Sequence, residues 1–328
     1  MRSLVVFVQE EFAWKKHGLH HGDREKFTES QWPEFSGWKY PAYRVVLAAY
    51  FFVWFVISIV EGGGIIPGAG EDIDDLEQPN HPTTTPVSTT TRNDTFPISE
   101  YVPTWWWLVF LTNWTFALFN LYLIYSAFSV TYYYLAERKK APTANYTDQI
   151  SPAQPGKGLP LSLKIHWIFF NLQVGLNPLV CVGFWTLIVP FDDNVENLLN
   201  VVSYHAHLLN GIVTIIDLFV VAIPVHLAHI YMTYFVGGAY ITASVIFWQT
   251  ERGPFPIYGF LNYENTPITT SLVLILVAVL VLPLMQLGIY GLYRLRLRIW
   301  RKRYGSGWPK SLFADKPVQS SFKSLNSF

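Results

Sequence analysis

The sequence has few charges, a single cysteine and no excess of charge of either sign. Only 14% of its 328 residues are charged, whereas soluble domains carry about 25%. The 23 basic and 23 acidic side chains balance, so no nucleic-acid partner is expected. Cys181 is the only cysteine, which excludes an intramolecular disulfide. A hydrophobic share of 51% combined with so little charge is typical of a protein that lies in the lipid bilayer.

Long uncharged stretches account for the low charge, and six of them are long enough to cross a bilayer as helices, which takes about 20 residues. The fourth and fifth stretches form one tract that is too long for one crossing, and Pro224 marks the turn between them. The sequence therefore predicts an all-α, polytopic membrane helix bundle. Its six transmembrane helices are expected near Arg44–Ile59, Thr104–Ala127, His166–Pro190, Leu199–Ala222, Ala228–Trp248 and Thr270–Tyr293.

Basic residues cluster on alternate connections between these spans. They precede the first span, occupy the loop after the second and form the run RLRLRIWRKR after the sixth, while the other loops are acidic or nearly uncharged. Basic connections stay cytoplasmic, so both termini are expected in the cytoplasm, with the chain in the plasma membrane or an endomembrane. The predicted parts are a cytoplasmic N-terminal segment (1–43), a transmembrane domain (44–293) and a basic cytoplasmic tail (294–328). Since no signal peptide is recognisable, the first span is expected to direct insertion.

The first connection, residues 62–103, is expected to be a flexible loop on the outer side. It contains HPTTTPVSTTTRNDT, which is rich in threonine and proline and lacks apolar residues for a core. Asn93 begins a sequon for N-glycosylation in this loop. Asn145 begins another sequon on the predicted cytoplasmic side, so Asn93 alone is expected to carry a glycan.

A stripe of polar residues runs along the fourth predicted span. Its members are spaced four, three, four and three residues apart, which places them on one face of an α-helix. An ionisable side chain in hydrocarbon costs about 2.5–3.5 kcal/mol on insertion scales and faces protein or water. The stripe is therefore expected to face the interior of the bundle. It consists of Ser203, His207, Asn210, Thr214 and Asp217.

Asp217 is expected to pair with a polar group near the inner half of the bundle. The third predicted span offers three such groups near its cytoplasmic end, namely His166, Asn171 and Gln173.

A hypothetical catalytic pair arises from the depth of two residues. Thr112 and His207 each lie about eight residues inside their spans, or roughly 12 Å below the outer surface at the α-helical rise. A base beside a hydroxyl is the minimum arrangement for a threonine nucleophile, and Asn210 could orient the imidazole. The same residue types also join membrane helices by simple hydrogen bonds, so a catalytic and a structural interpretation both stay open.

Metal and cofactor chemistry fit the sequence poorly. His205 and His207 are separated from His226 and His229 by about 20 residues, or roughly 30 Å of helix, and the two pairs cannot share one ion. Phosphate-binding loops and the G-x-S-x-G motif are absent from the sequence. We therefore expect neither a metal nor a cofactor.

Several segments resemble rolling-stone proteins, which are multi-pass membrane proteins named for a role in myoblast fusion. The resemblance covers most of the chain apart from the outer loop and the tail, and its motifs keep their order and spacing. It implies a membrane protein that acts in cell–cell fusion or adhesion. The segments that carry it are FTESQW (27–32), YRVVLAAYF (43–51), FLTNWTF (110–116), HAHLLNGIVTIIDLF (205–219) and GPFPIYGFLNYENTP (253–267).

A more remote resemblance links the chain to the androgen-induced-gene family of membrane hydrolases, which cleave fatty acid esters of hydroxy fatty acids. That family is associated with an intramembrane threonine and histidine, matched here by Thr112 and His207, with Asp217 ten residues further on. Leu208 and Asn210 depart from its pattern. This likeness implies an alternative function, an intramembrane threonine hydrolase of acyl lipids. Small-solute transport is a third hypothesis, supported only by the buried Asp217 and by glycine and proline interruptions.

Overall fold

The membrane bundle contains six helices that are long and apolar enough to cross a bilayer within the described residues. A computed structural model describes residues 4–19, 21, 23–60, 104–140, 159–191, 195–250 and 257–305. Apart from one isolated β-bridge, its regular elements are helical over these ranges, which confirms the predicted all-α bundle. Spans one to six are Lys39–Val60, Leu111–Arg138, Leu161–Phe191, Val201–Val220, Leu227–Gln249 and Pro267–Tyr304.

Span three is the central helix of the bundle. It packs against spans two, four, five and six, whereas span one packs mainly on span two. Its central residues, from Phe170 to Pro178, are buried side by side, because neighbouring helices cover the span on several sides. Gly175 allows a close approach to span five, since a Cβ atom there would collide with the hydroxyl of Thr233. The polar groups of span three consequently face other helices.

Span four is not a continuous α-helix, which corrects the regular spacing that the sequence predicted. A π-helical segment occupies His205–Leu209 between the α-helices Val201–Tyr204 and Asn210–Val220. A π-helical turn accommodates one extra residue. The side chains before this segment are therefore rotated by roughly a quarter turn about the helix axis relative to those after it. Span three contains a matching π-helical segment, Phe184–Ile188.

The N-terminal segment packs under one end of the bundle, which we call the inner end because it is predicted to be cytoplasmic. Short helices occupy Leu4–Glu11, Trp14–His17 and Glu25–Thr28. The backbone N–H of Gln31 donates to the Val220 carbonyl at 2.8 Å, beside the β-bridge between Ser30 and Val221. The segment thus covers the end of span four.

Two helices extend beyond the predicted spans. Span two belongs to a helix that runs to Lys140, and span six continues to Tyr304 through the whole basic run. The chain leaves helical geometry between Val220 and Leu227, which confirms the turn predicted at Pro224. Asn93, Asn145 and most of the predicted tail lie outside the described residues.

Candidate functional site

Asp217 forms a fully buried ion pair with Arg44 of span one near the inner end of the bundle. An Arg44 Nη1 atom lies 2.9 Å from the Asp217 Oδ1 atom, and both side chains are 0% exposed. The opposite charges compensate one another where neither could be left alone in a low-dielectric environment. The pair therefore ties span one to span four.

Tyrosine hydroxyls surround this ion pair. Tyr122 donates to Asp217 Oδ2 at 2.5 Å, and Tyr43 donates to Oδ1 at 3.2 Å. On the other side, Arg44 donates to the hydroxyls of Tyr40 at 2.8 Å and Tyr122 at 3.2 Å. Its guanidinium also lies about 5 to 6 Å from the centres of these tyrosine rings, a distance typical of cation–π contacts. Both carboxylate oxygens of Asp217 are thereby occupied.

The three partners that the sequence suggested for Asp217 are wrong. The His166 ring is buried and packs at 5.9 Å from the Tyr122 ring. Asn171 donates to the carbonyl of Trp167 at 2.8 Å, and Gln173 bonds Thr214. The prediction assumed that the partner lay on span three, whereas the cation comes from span one.

Thr214 joins span four to span three. Its hydroxyl accepts from Asn177 Nδ2 at 3.0 Å and donates to Gln173 Oε1 at 2.8 Å. All three side chains are 0% exposed. Thr214 is therefore a helix-joining residue of the kind common in membrane bundles, and it fixes the register of the two spans.

The predicted polar stripe is fully buried only in its inner part. Asn210, Thr214 and Asp217 are 0% exposed, while Ser203 and His207 are half-buried. The His207 ring stacks on Phe184 of span three with a centroid separation of 3.6 Å. The backbone N–H of Ser203 donates to Asn200, which caps the helix. The two half-buried residues lie in the outer part of the span, Ser203 in its first turn and His207 in the π-helical segment.

Thr112 and His207 have different neighbours. Thr112 is buried at the start of span two, where the Tyr258 hydroxyl accepts from the backbone N–H of Leu111 and interacts with the Thr112 side chain. Span two does contact the π-helical segment that holds His207. Hydrogen bonds between described residues do not join the Thr112 hydroxyl to the imidazole, so the catalytic pair stays a prediction.

His205 makes more contacts than His207, which the sequence did not anticipate. Its Nδ1 atom lies 2.8 Å from the Val201 carbonyl, and its Nε2 atom lies 2.8 Å from the Tyr50 hydroxyl. The carbonyl can only accept, so Nδ1 carries the proton and Nε2 accepts from Tyr50. The ring also stacks on Trp54 at 3.6 Å. His205 therefore anchors the outer half of span one to span four.

Arg296 caps the inner end of span four. Its guanidinium donates to the carbonyls of Leu218 at 2.6 Å, Val221 at 2.5 Å and Ile223 at 2.9 Å, and the side chain is 0% exposed. A cation is favourable at a helix C-terminus, where carbonyls lack helical partners. Trp32 of the N-terminal segment donates to the neighbouring Phe219 carbonyl at 2.8 Å.

The two buried arginines were the main residues that sequence reasoning missed. Arg44 is the first residue of the predicted first span, and Arg296 lies in the basic run predicted to form the tail. A signal existed for Arg44, because Tyr40 lies four residues before it, on the same helical face. Arg296 offered no such signal within the run RLRLRIWRKR.

These features define a polytopic helical membrane protein with a fully buried ion pair between two of its spans. The family model described as Protein rolling stone matches residues 99–312, and the chain belongs to the rolling stone family. This family assignment confirms the resemblance noted in the sequence. The matched region contains Asp217 and Tyr122, while Arg44 precedes it.

A curated relative is similar over much of its length. Protein rolling stone from Drosophila melanogaster is 22% identical over 204 residues, which cover 61% of this chain and 70% of that protein. No solved structure matches the chain.

Proposed function

We propose that this protein acts in cell–cell fusion or adhesion at a membrane and that the buried Arg44–Asp217 pair stabilises the bundle. Membership of the rolling stone family supports the cellular role that the resemblance implies. The structural role of this ion pair is supported by its complete burial. Both oxygens of Asp217 are occupied by Arg44 and two tyrosines, so this carboxylate is engaged in holding spans one, two and four together.

The hydrolase alternative receives less support from the contacts. Thr112 lies beside Tyr258, and the His207 ring stacks on Phe184. A threonine nucleophile requires a base within hydrogen-bond reach, directly or through one water. We therefore place fusion or adhesion ahead of intramembrane hydrolysis, and one experiment can compare them.

To compare the two functions, the 328-residue chain is expressed in cultured cells that do not fuse. Two cell populations carry complementary halves of a split fluorescent reporter, and both aggregation and reporter assembly are measured after mixing. Wild type is expected to raise at least one signal above that of cells without the protein. Thr112→Val, which removes the hydroxyl with little change in volume, is expected to keep that signal at equal surface expression.

Two outcomes would contradict the proposal. Wild-type cells at high surface expression that neither aggregate nor assemble the reporter would exclude a sufficient role in fusion or adhesion. A Thr112→Val protein that reaches the surface but loses both the cellular signal and labelling by an acyl-directed fluorophosphonate probe would favour the hydrolase.

A further inference from the structure

The last helix of the bundle carries basic side chains on its exposed side at the inner end. The α-helix Leu282–Tyr304 forms the inner part of span six, and it buries Ile289, Arg296 and Trp300 against the rest of the protein. The opposite side of this helix is exposed, and we call the four basic residues on it the basic face. They are Arg294, Arg298, Arg301 and Lys302.

The basic face continues a lipid-facing stripe of the same helix. Leu284 and Leu287 are 56% and 52% exposed, and exposed leucines of a membrane-spanning helix lie against acyl chains. From Leu284 onward, exposed residues follow at spacings of three, four, three, four and three, which keeps them on one side of an α-helix. This side therefore meets acyl chains within the membrane and becomes basic further inward. The stripe consists of Leu284, Leu287, Gly291, Arg294, Arg298 and Arg301, with Lys302 one turn after Arg298.

Span six is long enough to place the basic face among the lipid headgroups. It has 38 residues, or about 57 Å at the α-helical rise, whereas a bilayer with its headgroups is about 40–45 Å thick. Arg294 is the first charged residue of the span. Arginine and lysine side chains bury their apolar stems along the membrane while their charged ends reach the polar region. The basic face thus lies at the inner membrane surface, which the charge pattern predicts to be cytoplasmic.

Most of the positive charge on the basic face is not neutralised by the protein. Arg294 donates to the Tyr290 hydroxyl at 2.8 Å, and this hydroxyl donates to Glu11 at 3.0 Å, so Arg294 is linked to one carboxylate. The other three members form no ion pair with an acidic side chain in the described part of the chain. The face consequently presents an excess of positive charge beside the membrane.

We propose that the basic face binds the headgroups of anionic phospholipids in the inner leaflet. The face adjoins the lipid-facing leucines, so the groups next to it are phospholipid headgroups, and their negative charge complements the arginines. A guanidinium can bond two phosphate oxygens at once. Anionic lipids are concentrated in the cytoplasmic leaflet, where each nearby basic residue strengthens binding about five-fold. This surface is independent of the proposed role in fusion or adhesion.

The test titrates the purified 328-residue chain in detergent with phosphatidylserine or phosphatidylcholine and measures the bound lipid by native mass spectrometry. Wild type is expected to bind phosphatidylserine more tightly than phosphatidylcholine. The triple variant Arg298→Gln, Arg301→Gln, Lys302→Gln should lower the affinity for phosphatidylserine by more than about ten-fold, because three charges are lost. The matched control removes three positive charges outside the basic face and should keep the wild-type affinity. It combines Arg24→Gln, Arg138→Gln and Arg303→Gln, all at exposed residues.

Three outcomes would overturn the proposal. Equal binding of the two lipids by wild type would show that the face does not select anionic headgroups. An equal loss in both triple variants would mean that net charge alone attracts the lipid. A polyglutamate peptide that binds wild type more tightly than phosphatidylserine does would assign the face to an acidic protein partner. Gel filtration checks folding, and Arg298→Gln alone, expected to lower the affinity about five-fold, replaces the triple variant if that protein aggregates.

Discussion

At the residue scale, Asp217 and Arg44 are two costly groups that are tolerated because they lie together. Removing one partner of a buried pair leaves an uncompensated charge and typically costs about 3–5 kcal/mol, while replacing both with apolar residues is often neutral. The tyrosine hydroxyls add hydrogen bonds to charged groups, which contribute about 1.5–3 kcal/mol each. This part of the bundle is therefore more sensitive to single substitutions than to paired ones.

Asp217→Leu is predicted to destabilise the protein by about 3–5 kcal/mol, because Arg44 stays buried without its carboxylate. Thermal unfolding of the detergent-solubilised protein, followed by gel filtration, measures the loss. The double variant Arg44→Met with Asp217→Leu should recover much of it. A single variant as stable as wild type would mean that the pair contributes no net stability.

An exposed ion pair provides the matched control. Arg303 and Glu34 lie 2.9 Å apart, with side chains 62% and 56% exposed. Exposed pairs are weak because water and salt screen them. Glu34→Gln should therefore leave the unfolding midpoint nearly unchanged, so that burial rather than the number of ion pairs explains the effect at Asp217.

At the element scale, span four depends on other segments at both ends. Asn200 caps its beginning, and Arg296 with the N-terminal segment satisfies the carbonyls at its inner end. The end of this helix is buried, so its unpaired carbonyls need partners from the protein. Spans four and six and residues 30–32 consequently form one connected unit at the inner end.

Arg296→Met is predicted to destabilise this unit by a few kcal/mol, because three hydrogen bonds from a charged group are lost. Arg296→Lys should rescue it only in part, since an ammonium cannot reproduce the planar guanidinium fork. Arg298→Met, a change at an exposed arginine two residues away, serves as the control. Hydrogen exchange of residues 218–223 should rise in Arg296→Met and stay at the wild-type level in Arg298→Met; equal exchange in all variants would contradict the capping role.

The N-terminal segment is predicted to pack less stably as pH rises towards neutrality. Glu29 lines a small pocket together with Tyr134 and Glu137. Burial, followed by the nearby carboxylates of Glu137 and Glu25, raises the pKa of Glu29 from 4.5 to about 7. Because the folded state holds this proton more tightly than the unfolded state, stability is lost as pH increases between these two values.

Glu29→Gln tests this pH dependence directly. The variant should match wild type at pH 5 and unfold at a higher temperature than wild type at pH 8, because only the wild-type side chain must ionise. Glu264→Gln, at an exposed glutamate between spans five and six, should follow wild type at both pH values. A Glu29→Gln protein whose midpoint falls with pH as steeply as that of wild type would contradict the assignment.

At the scale of the whole molecule, the charge pattern makes a prediction about orientation. With both termini in the cytoplasm, Asn93 lies on the glycosylated side and Asn145 does not. Endoglycosidase treatment of protein from eukaryotic cells should lower the apparent mass of wild type, while Asn93→Gln should abolish that shift. A shift that persists in Asn93→Gln and disappears in Asn145→Gln would reverse the topology.

The sequence predicted the architecture well because hydropathy and span length are local properties. The six spans and the turn at Pro224 follow from runs of neighbouring residues. Burial of Asn210, Thr214 and Asp217 also follows, because their spacing keeps them on one face of a regular α-helix. Ser203 and His207 of the same stripe are half-buried, and the π-helical segment that holds His207 has no distinct composition by which the sequence could have predicted it.

The amino-acid sequence alone was enough to recognise a six-span membrane protein of the rolling stone family. It also showed that an acidic side chain lies inside the membrane and must have a partner. Only the tertiary structure decided that the partner is Arg44 and that Tyr40, Tyr43 and Tyr122 enclose the pair. It also decided that Arg296 caps span four and that Thr214 joins spans three and four. The physical reason is that pairing of buried polar groups depends on which helices become neighbours, and residues distant in the chain carry no local signal of that contact.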